Sequence, residues 1–199
     1  MRTTAAVVLG SVLLAGALTA CSSGENANTA PATETPGATP PPAGIAVAEP
    51  AASGDQPKAI THDTKRAPAG ATLATSATVD NGSTTVTLTV TGLLPNTEYG
   101  SHAHTKPCGA KAADSGPHYQ DEKDPVSPSV DPAYANRDNE IWLDFTTDDK
   151  GSATSSAKVN WEFRKGEANS IVVHATHTHT DAGKAGTAGE RLACLTYSF

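Results

Sequence analysis

Residues 80–91 read Asp-Asn-Gly-Ser-Thr-Thr-Val-Thr-Leu-Thr-Val-Thr. From Thr84 onward, threonine alternates with aliphatic residues, which is the pattern of a strand with one buried face. The Asn-Gly pair before it is a strong signal for a tight turn between antiparallel strands. Small and β-branched residues over 71–79 supply the strand on the other side of that turn. This stretch therefore predicts an antiparallel β-hairpin.

Strand patterns continue toward the C-terminus, at residues 98–105, 141–146, 152–161, 170–174 and 192–199. The same region shows no convincing helical periodicity, so we expect an all-β fold, an antiparallel sandwich or barrel. Two long loops, 106–139 and 175–190, separate the strands. A loop of more than about 30 residues in a compact domain is usually functional.

Charge and sulfur content exclude several classes of protein. Lys and Arg total 14 against 21 Asp and Glu, a net charge of −7, which argues against a nucleic-acid partner. The single methionine is Met1, which excludes a blue-copper site with an axial methionine. Three cysteines are too few for a four-cysteine zinc site.

The first 20 residues have the charge, apolar run and small residues of a secretory signal peptide. The signal ends in Leu18-Thr19-Ala20-Cys21, which resembles the bacterial lipobox. That resemblance implies a lipid on Cys21 and an extracytoplasmic protein anchored to the outer face of the bacterial cytoplasmic membrane. The alternative is an ordinary signal peptide with an incidental cysteine.

The next segment, residues 21–59, is rich in Ala, Thr and Pro. It carries too few large apolar groups to offset the entropy of ordering, so we predict a disordered linker. The folded domain then covers residues 60–199, which is long enough for one hydrophobic core.

Histidines concentrate in that domain. His102 and His104 lie two apart on a predicted strand, so both imidazoles leave the same face and can bind one metal ion. By itself, however, such a pair is more often two surface histidines on a strand. The surrounding motifs, in chain order, are Gly100-Ser-His102-Ala-His104, Cys108, Gly116-Pro-His118, Val172-Val-His174 and Gly189-Glu-Arg191-Leu-Ala-Cys194.

These motifs, in this order, resemble the copper-zinc superoxide dismutase family over roughly residues 70–199. The resemblance implies a Greek-key β-barrel and superoxide as the substrate, and it leaves a homodimer open. It implies that Arg191 sits at the metal and attracts the superoxide anion, and that Cys108 and Cys194 form a disulfide. The copper ligands that it implies are His102, His104, His118 and His174.

The residue chemistry agrees with those implications. Four neutral imidazoles suit Cu(II), although spacing alone does not separate copper from zinc. The implied cycle has two half-reactions, in which copper takes an electron from one superoxide and gives it to a second. His118 is then a candidate to leave the metal on reduction and carry a proton. Arg191 is permanently charged and can pair with a small anion.

The segment from Tyr119 to Glu140 departs from the zinc-containing members because it has no histidine. Carboxylates alone are a poor tetrahedral shell for zinc, so we expect a copper-only centre without zinc. His118 then bridges to no second metal, and we expect its free nitrogen to meet water or a carboxylate. The carboxylates that the segment offers are Asp121, Glu122, Asp124, Asp131 and Asp138.

A second departure lies just after the last ligand, where His177 and His179 replace the usual acidic residues. Three interpretations are open. The two histidines could simply face water in the loop, they could capture copper beside the site, or they could form a second metal site. Because the domain is acidic, fast capture of superoxide needs a local positive field. Besides Arg191, Lys184 and Lys106 are the candidates, although a lone loop lysine usually only faces solvent. His62 we expect to be incidental.

The sequence therefore predicts a lipid-anchored, copper-dependent superoxide dismutase. The alternative is a copper-binding or copper-buffering lipoprotein on the same scaffold with little turnover, which the extra histidines and missing zinc ligands motivate. A β-domain that holds no metal is the third hypothesis, and the retained set of four histidines argues against it.

Overall fold

A computed structural model of the chain describes residues 42–199, and these form two antiparallel sheets. One sheet has the order β1-β3-β4-β7 and the other β2-β9-β8-β5-β6. Their strands are β1 Ile45–Ala46, β2 Ala59–Thr61, β3 Thr72–Asp80, β4 Ser83–Thr91, β5 Glu98–His104, β6 Phe145–Thr146, β7 Ala153–Val159, β8 Ser170–His174 and β9 Arg191–Thr196. The chain passes between the sheets after β1, β2, β4, β6 and β7, which confirms the predicted all-β sandwich with crossing connections.

The hairpin predicted from residues 80–91 is β3–β4, paired from Thr72↔Thr91 to Asp80↔Ser83. Asn81 and Gly82 both have positive φ, as the tight turn requires. Along β4 the aliphatic residues are buried, and Thr85, Thr87 and Thr89 are only half-buried on the other face. The aliphatic residues of β4 therefore point into the core, and the threonines between them point to the opposite face of the sheet.

The ordered domain begins earlier than residue 60. β1 pairs with β3, and Val47 after it is only 2% exposed. β2 begins at Ala59 and pairs with β9, so part of the predicted linker, residues 45–59, lies on the sandwich. The predicted signal peptide 1–20, Cys21 and the first part of the linker lie outside the described residues. Within the described residues no helix is long and apolar enough to cross a membrane.

The predicted strand 141–146 is shorter than expected. Only Phe145–Thr146 pair as β6, and Trp142 contributes an isolated bridge to His102. In the predicted long loop 106–139, the structure adds a short 3-10 turn, Ala112–Ser115. Both departures lie beside β5 and its histidines.

A disulfide joins Cys108 to Cys194, with Cα atoms 5.7 Å apart. Cys108 follows β5 in the loop, and Cys194 lies inside β9, so the bond ties the long loop to the last strand. Both cysteines pack in a small buried cluster with Ile60 and Val172. The structure thus contains the disulfide that the motifs implied.

Candidate metal centre

Four histidines converge, and their ligand atoms lie within 4.8 Å of one another. Two come from β5, the third ends the adjacent strand β8, and the fourth forms an isolated bridge back to His104. Within residues 42–199, no other group of three or more His, Cys, Asp or Glu side chains is placed to hold a metal. The members are His102, His104, His118 and His174.

Three of the rings share one orientation, set by an acceptor at Nδ1. The Nδ1 atom of His104 is 2.9 Å from the Gly116 carbonyl, and that of His174 is 3.3 Å from the Gly189 carbonyl. His118 Nδ1 is 2.8 Å from Glu140 Oε2. Since carbonyl and carboxylate oxygens only accept, each Nδ1 carries the proton. Each Nε2 is then free to bind a metal.

His102 is turned the other way. Its Nε2 lies 2.8 Å from Thr178 Oγ1, whereas its buried Nδ1 has no hydrogen-bond partner among the described residues. A buried nitrogen without a partner costs about 1–3 kcal/mol. A metal ion bound by this Nδ1 and the three Nε2 atoms would satisfy it. The four side chains therefore fit a metal with nitrogen ligands.

Burial keeps these imidazoles neutral. It lowers the pKa of His174 to about 3 and the pKa values of His102 and His104 well below 6.5. The neighbouring histidines lower each value further, because several positive charges cannot share one dry site. Neutral imidazole is the form that binds metals, so at neutral pH no proton has to leave these three rings first.

Glu140 is the carboxylate that meets His118, and the sequence did not single it out. It is 1% exposed and accepts hydrogen bonds from His118 Nδ1, Trp142 Nε1 and Gln120 Nε2, the last two at 2.7 and 2.8 Å. The expectation of water or a carboxylate at His118 is thus confirmed. Its sequence signal is a charged residue directly before the buried run Ile141-Trp142-Leu143.

The five carboxylates considered as zinc ligands do not join the four histidines, although Asp124 lines the same cavity. Asp124 is half-buried and accepts a hydrogen bond from Ser129, and the other four are exposed. None belongs to the four-histidine group.

We expect Glu140→Gln to lower Cu(II) affinity about tenfold to a hundredfold, as is usual when the partner of a metal-binding histidine is lost. All three neighbours donate to Glu140, so one donor would face the NH₂ group of glutamine. Competition against a chromophoric chelator measures the affinity. Glu122→Gln, at an exposed carboxylate, is the matched control. Equal affinities of both variants and the wild type would show that Glu140 does not orient His118.

Arg191 lies beside the histidines. A bulge at Val173/His174 makes Arg191 the cross-strand partner of His174, as bulges often do next to functional sites. Its Nη1 donates to the Ala112 carbonyl at 3.1 Å and to Ser115 Oγ at 2.9 Å. Partial burial lowers the pKa of Arg191, yet a guanidinium stays charged in proteins.

Arg191 faces the same cavity as the metal ligands. The cavity measures about 700 Å³, and its wall includes His118, His174, Glu140 and Lys123. Lys123 is a cation that the sequence did not select. Lys123 Nζ pairs with Glu167 Oε2 at 3.0 Å, and Asp124 lines the same wall. Arg191 is therefore the cavity cation that has no carboxylate partner among the described residues.

The remaining predicted residues are not in the group. His177 Nε2 lies 3.0 Å from the Phe145 carbonyl, to which it donates, whereas His179 and Lys184 are exposed. Within the described residues, neither histidine belongs to the metal group. Lys106 is also exposed, and His62 is half-buried. Besides the Gly189 carbonyl at His174, the residue of this loop that contacts a ligand ring is Thr178, which lies between His177 and His179 and contacts His102.

The chain is similar to known proteins in sequence and in structure. The family model "Copper/zinc superoxide dismutase (SODC)" matches residues 69–196. No curated protein matches the chain significantly. Solved structures with a similar fold include the Cu/Zn superoxide dismutase of Brucella abortus, with 17% identity and a TM-score of 0.47 over 63% of this chain and 86% of that one.

Two other structures are similar to the same degree. A SOD-like protein from Bacillus subtilis, in a double-mutant form, has 14% identity and a TM-score of 0.48, covering 70% of this chain and 95% of that one. The clock protein EA4 has 22% identity and a TM-score of 0.48, covering 63% and 85%. The family model covers well over half of the chain and contains all four histidines, both cysteines of the disulfide and Arg191. The chain belongs to the copper/zinc superoxide dismutase family.

Proposed function

We propose that this protein is a copper-dependent superoxide dismutase that works without zinc. The observation that carries the proposal is the inward-facing set of four ring nitrogens, completed by the unpartnered Nδ1 of His102. Copper held by these four histidines would supply the redox chemistry, the transfer of one electron from one superoxide to another. With two protons, two superoxide anions become one dioxygen and one hydrogen peroxide.

The nitrogens and their neighbours favour copper alone. Four nitrogen ligands suit Cu(II). In a two-metal centre a second ion would bind His118 Nδ1, but here Glu140 accepts a hydrogen bond from that atom. The same carboxylate is held by Trp142 and Gln120, so a zinc ion would have to break a buried network.

Arg191 binds and orients the anion. Its guanidinium is fixed by the Ala112 carbonyl and Ser115 and lines the cavity that leads to His118 and His174. The chain as a whole carries −7, so a local positive field has to guide superoxide. Arg191 supplies most of this field, because the other cation of the cavity wall, Lys123, is paired with Glu167.

His118 holds the proton that the product needs. It is the only partly exposed member of the four histidines, with 17% of its side chain accessible, and it lines the cavity. Glu140 keeps the other ring proton on Nδ1, so Nε2, when it is not bound to the metal, is the atom that could take a proton from water and pass it to the reduced substrate.

We also propose that the enzyme acts outside the cytoplasmic membrane, anchored by a lipid on Cys21. The motif Leu18-Thr19-Ala20-Cys21 supports this. Mass spectrometry of the mature N-terminus tests the anchor. We expect a diacylglycerol-modified Cys21 as the first residue, and an unmodified mature N-terminus would refute it.

Metal content and turnover, measured together, test the function. The domain is loaded with equal copper and zinc and passed through a chelator column. We expect one copper and no zinc per chain, with superoxide consumed catalytically. One tightly held zinc beside copper would overturn the copper-only centre. Bound copper without turnover above that of a copper chelate would instead show a copper-buffering lipoprotein.

A further inference from the structure

We propose that Thr178 is a positioning residue that determines which ring nitrogen of His102 carries the proton. We also propose that Asp144 determines the direction in which the Thr178 hydroxyl donates its hydrogen bond. The inference rests on the proposed metal centre but not on its turnover. It concerns the one ligand ring whose orientation is reversed, with Nδ1 toward the other three histidines and Nε2 toward Thr178.

The three residues form one continuous chain of contacts. His102 Nε2 lies 2.8 Å from Thr178 Oγ1, and that hydroxyl lies 2.6 Å from Asp144 Oδ1. The backbone N–H of Thr178 donates to Asp144 Oδ2 at 3.1 Å. Asp144 thus holds the threonine by its side chain and by its main chain.

The direction of the proton follows from the chemistry of the end group. A carboxylate only accepts hydrogen bonds, so Thr178 donates its single hydroxyl proton to Asp144. The threonine oxygen can then only accept from His102, which requires the proton on Nε2. The lone pair of Nδ1 is thereby left free, facing the other three ligands.

The other three rings need no second residue to fix the position of their proton. Backbone carbonyls orient His104 and His174, and a carboxylate orients His118, and none of these groups can donate. A hydroxyl can donate as well as accept. Without Asp144, Thr178 could donate to Nε2 and leave the proton on Nδ1, where it would block the metal-binding atom.

Asp144 is itself held in place. Its side chain is 9% exposed, it accepts from the backbone N–H of Ser101 next to His102 at 3.3 Å, and Arg137 lies 3.5 Å from Oδ2. It therefore joins β5 to the loop that follows His174. The histidine-threonine repeat after His174 thus acts through its middle threonine rather than through His177 or His179.

Histidine tautomers and copper binding test the inference. Long-range ¹H–¹⁵N NMR of the metal-free protein reports which ring nitrogen of His102 is protonated, with His102→Gln identifying its signals. We expect the Nε2–H form in the wild type and in Thr178→Ser, which keeps the hydroxyl. In Thr178→Val and in Asp144→Asn we expect the Nδ1–H form to become populated.

Copper affinity should follow the tautomer. Competition titration should give a tenfold to hundredfold weaker Cu(II) affinity in Thr178→Val, altered copper hyperfine splitting by EPR, and recovery in Thr178→Ser. Thr180→Val, at an exposed threonine of the same loop, controls for loop effects and should match the wild type.

Unchanged tautomer and affinity in a folded Thr178→Val would overturn the inference, and so would an equal loss in Thr180→Val. If Thr178→Val fails to fold, an unchanged His102 tautomer in Asp144→Asn overturns it. Absence of superoxide turnover would contradict only the proposed function, because neither readout depends on turnover.

Discussion

Replacing Cys108 and Cys194 together by alanine should lower the free energy of unfolding of the metal-free domain by about 4–5 kcal/mol. The disulfide joins residues 86 apart in sequence, and closing a loop of that length removes this much conformational freedom from the unfolded chain. Such a loss is a large fraction of the stability of an ordinary domain. Urea unfolding followed by circular dichroism measures it.

Reduction of the wild-type disulfide provides the matched control, because it breaks the same bond without changing a residue. The double replacement and the reduction should lower the urea midpoint of unfolding by a similar amount. A loss below about 1 kcal/mol in both would show that the bond does not stabilise the sandwich. The bond also ties the loop that holds Ala112 and Ser115 to β9, so we expect Arg191 to lose its fixed position as well.

The metal-free domain should become steadily less stable as the pH falls below about 6.5. His174 has a pKa of about 3 in the folded protein, and burial depresses those of His102 and His104 as well. Between the folded and unfolded pKa values the unfolded chain binds more protons, so stability rises with pH through this window. Each histidine contributes a slope of up to about 1.4 kcal/mol per pH unit.

Urea unfolding of the metal-free domain between pH 4.5 and 7.5 measures this slope. Acidic groups with lowered pKa values, such as Asp63 and Asp148, titrate below that range and add little to it. His174→Asn removes one of the groups that take up a proton on unfolding, so it should reduce the slope by up to about 1.4 kcal/mol per pH unit. A flat profile in the wild type would show that the buried histidines accept protons without unfolding.

Features carried by local pattern were predictable from the sequence. The alternation of threonine and aliphatic residues predicted β4 correctly, because successive side chains of any strand point to opposite faces of the sheet. The histidine pair of β5 was predictable for the same reason. Only the family resemblance, however, brought His118, His174, Arg191 and the disulfide to the same site.

Features made by chain segments distant in sequence were not predictable. β1 has two residues, too few to show a period, and it is a strand only because β3 offers its edge. Glu140 meets His118 because the loop between them folds back, and nothing in its own neighbourhood marks that contact. Thr178 carries no signal of its own in the histidine-threonine repeat, and only the fold brings its hydroxyl to His102.

The rate of superoxide decay after pulse radiolysis, with wild-type and Arg191→Ala proteins matched for copper content, tests the central claim most directly. We expect the wild type to remove superoxide in large excess over protein. Arg191→Ala should keep its copper and react about tenfold to a hundredfold more slowly, with a weaker dependence on salt. Lys65→Ala, at an exposed lysine, should match the wild type. Copper-loaded wild type no faster than a copper chelate, or a wild-type rate in Arg191→Ala, would contradict the account.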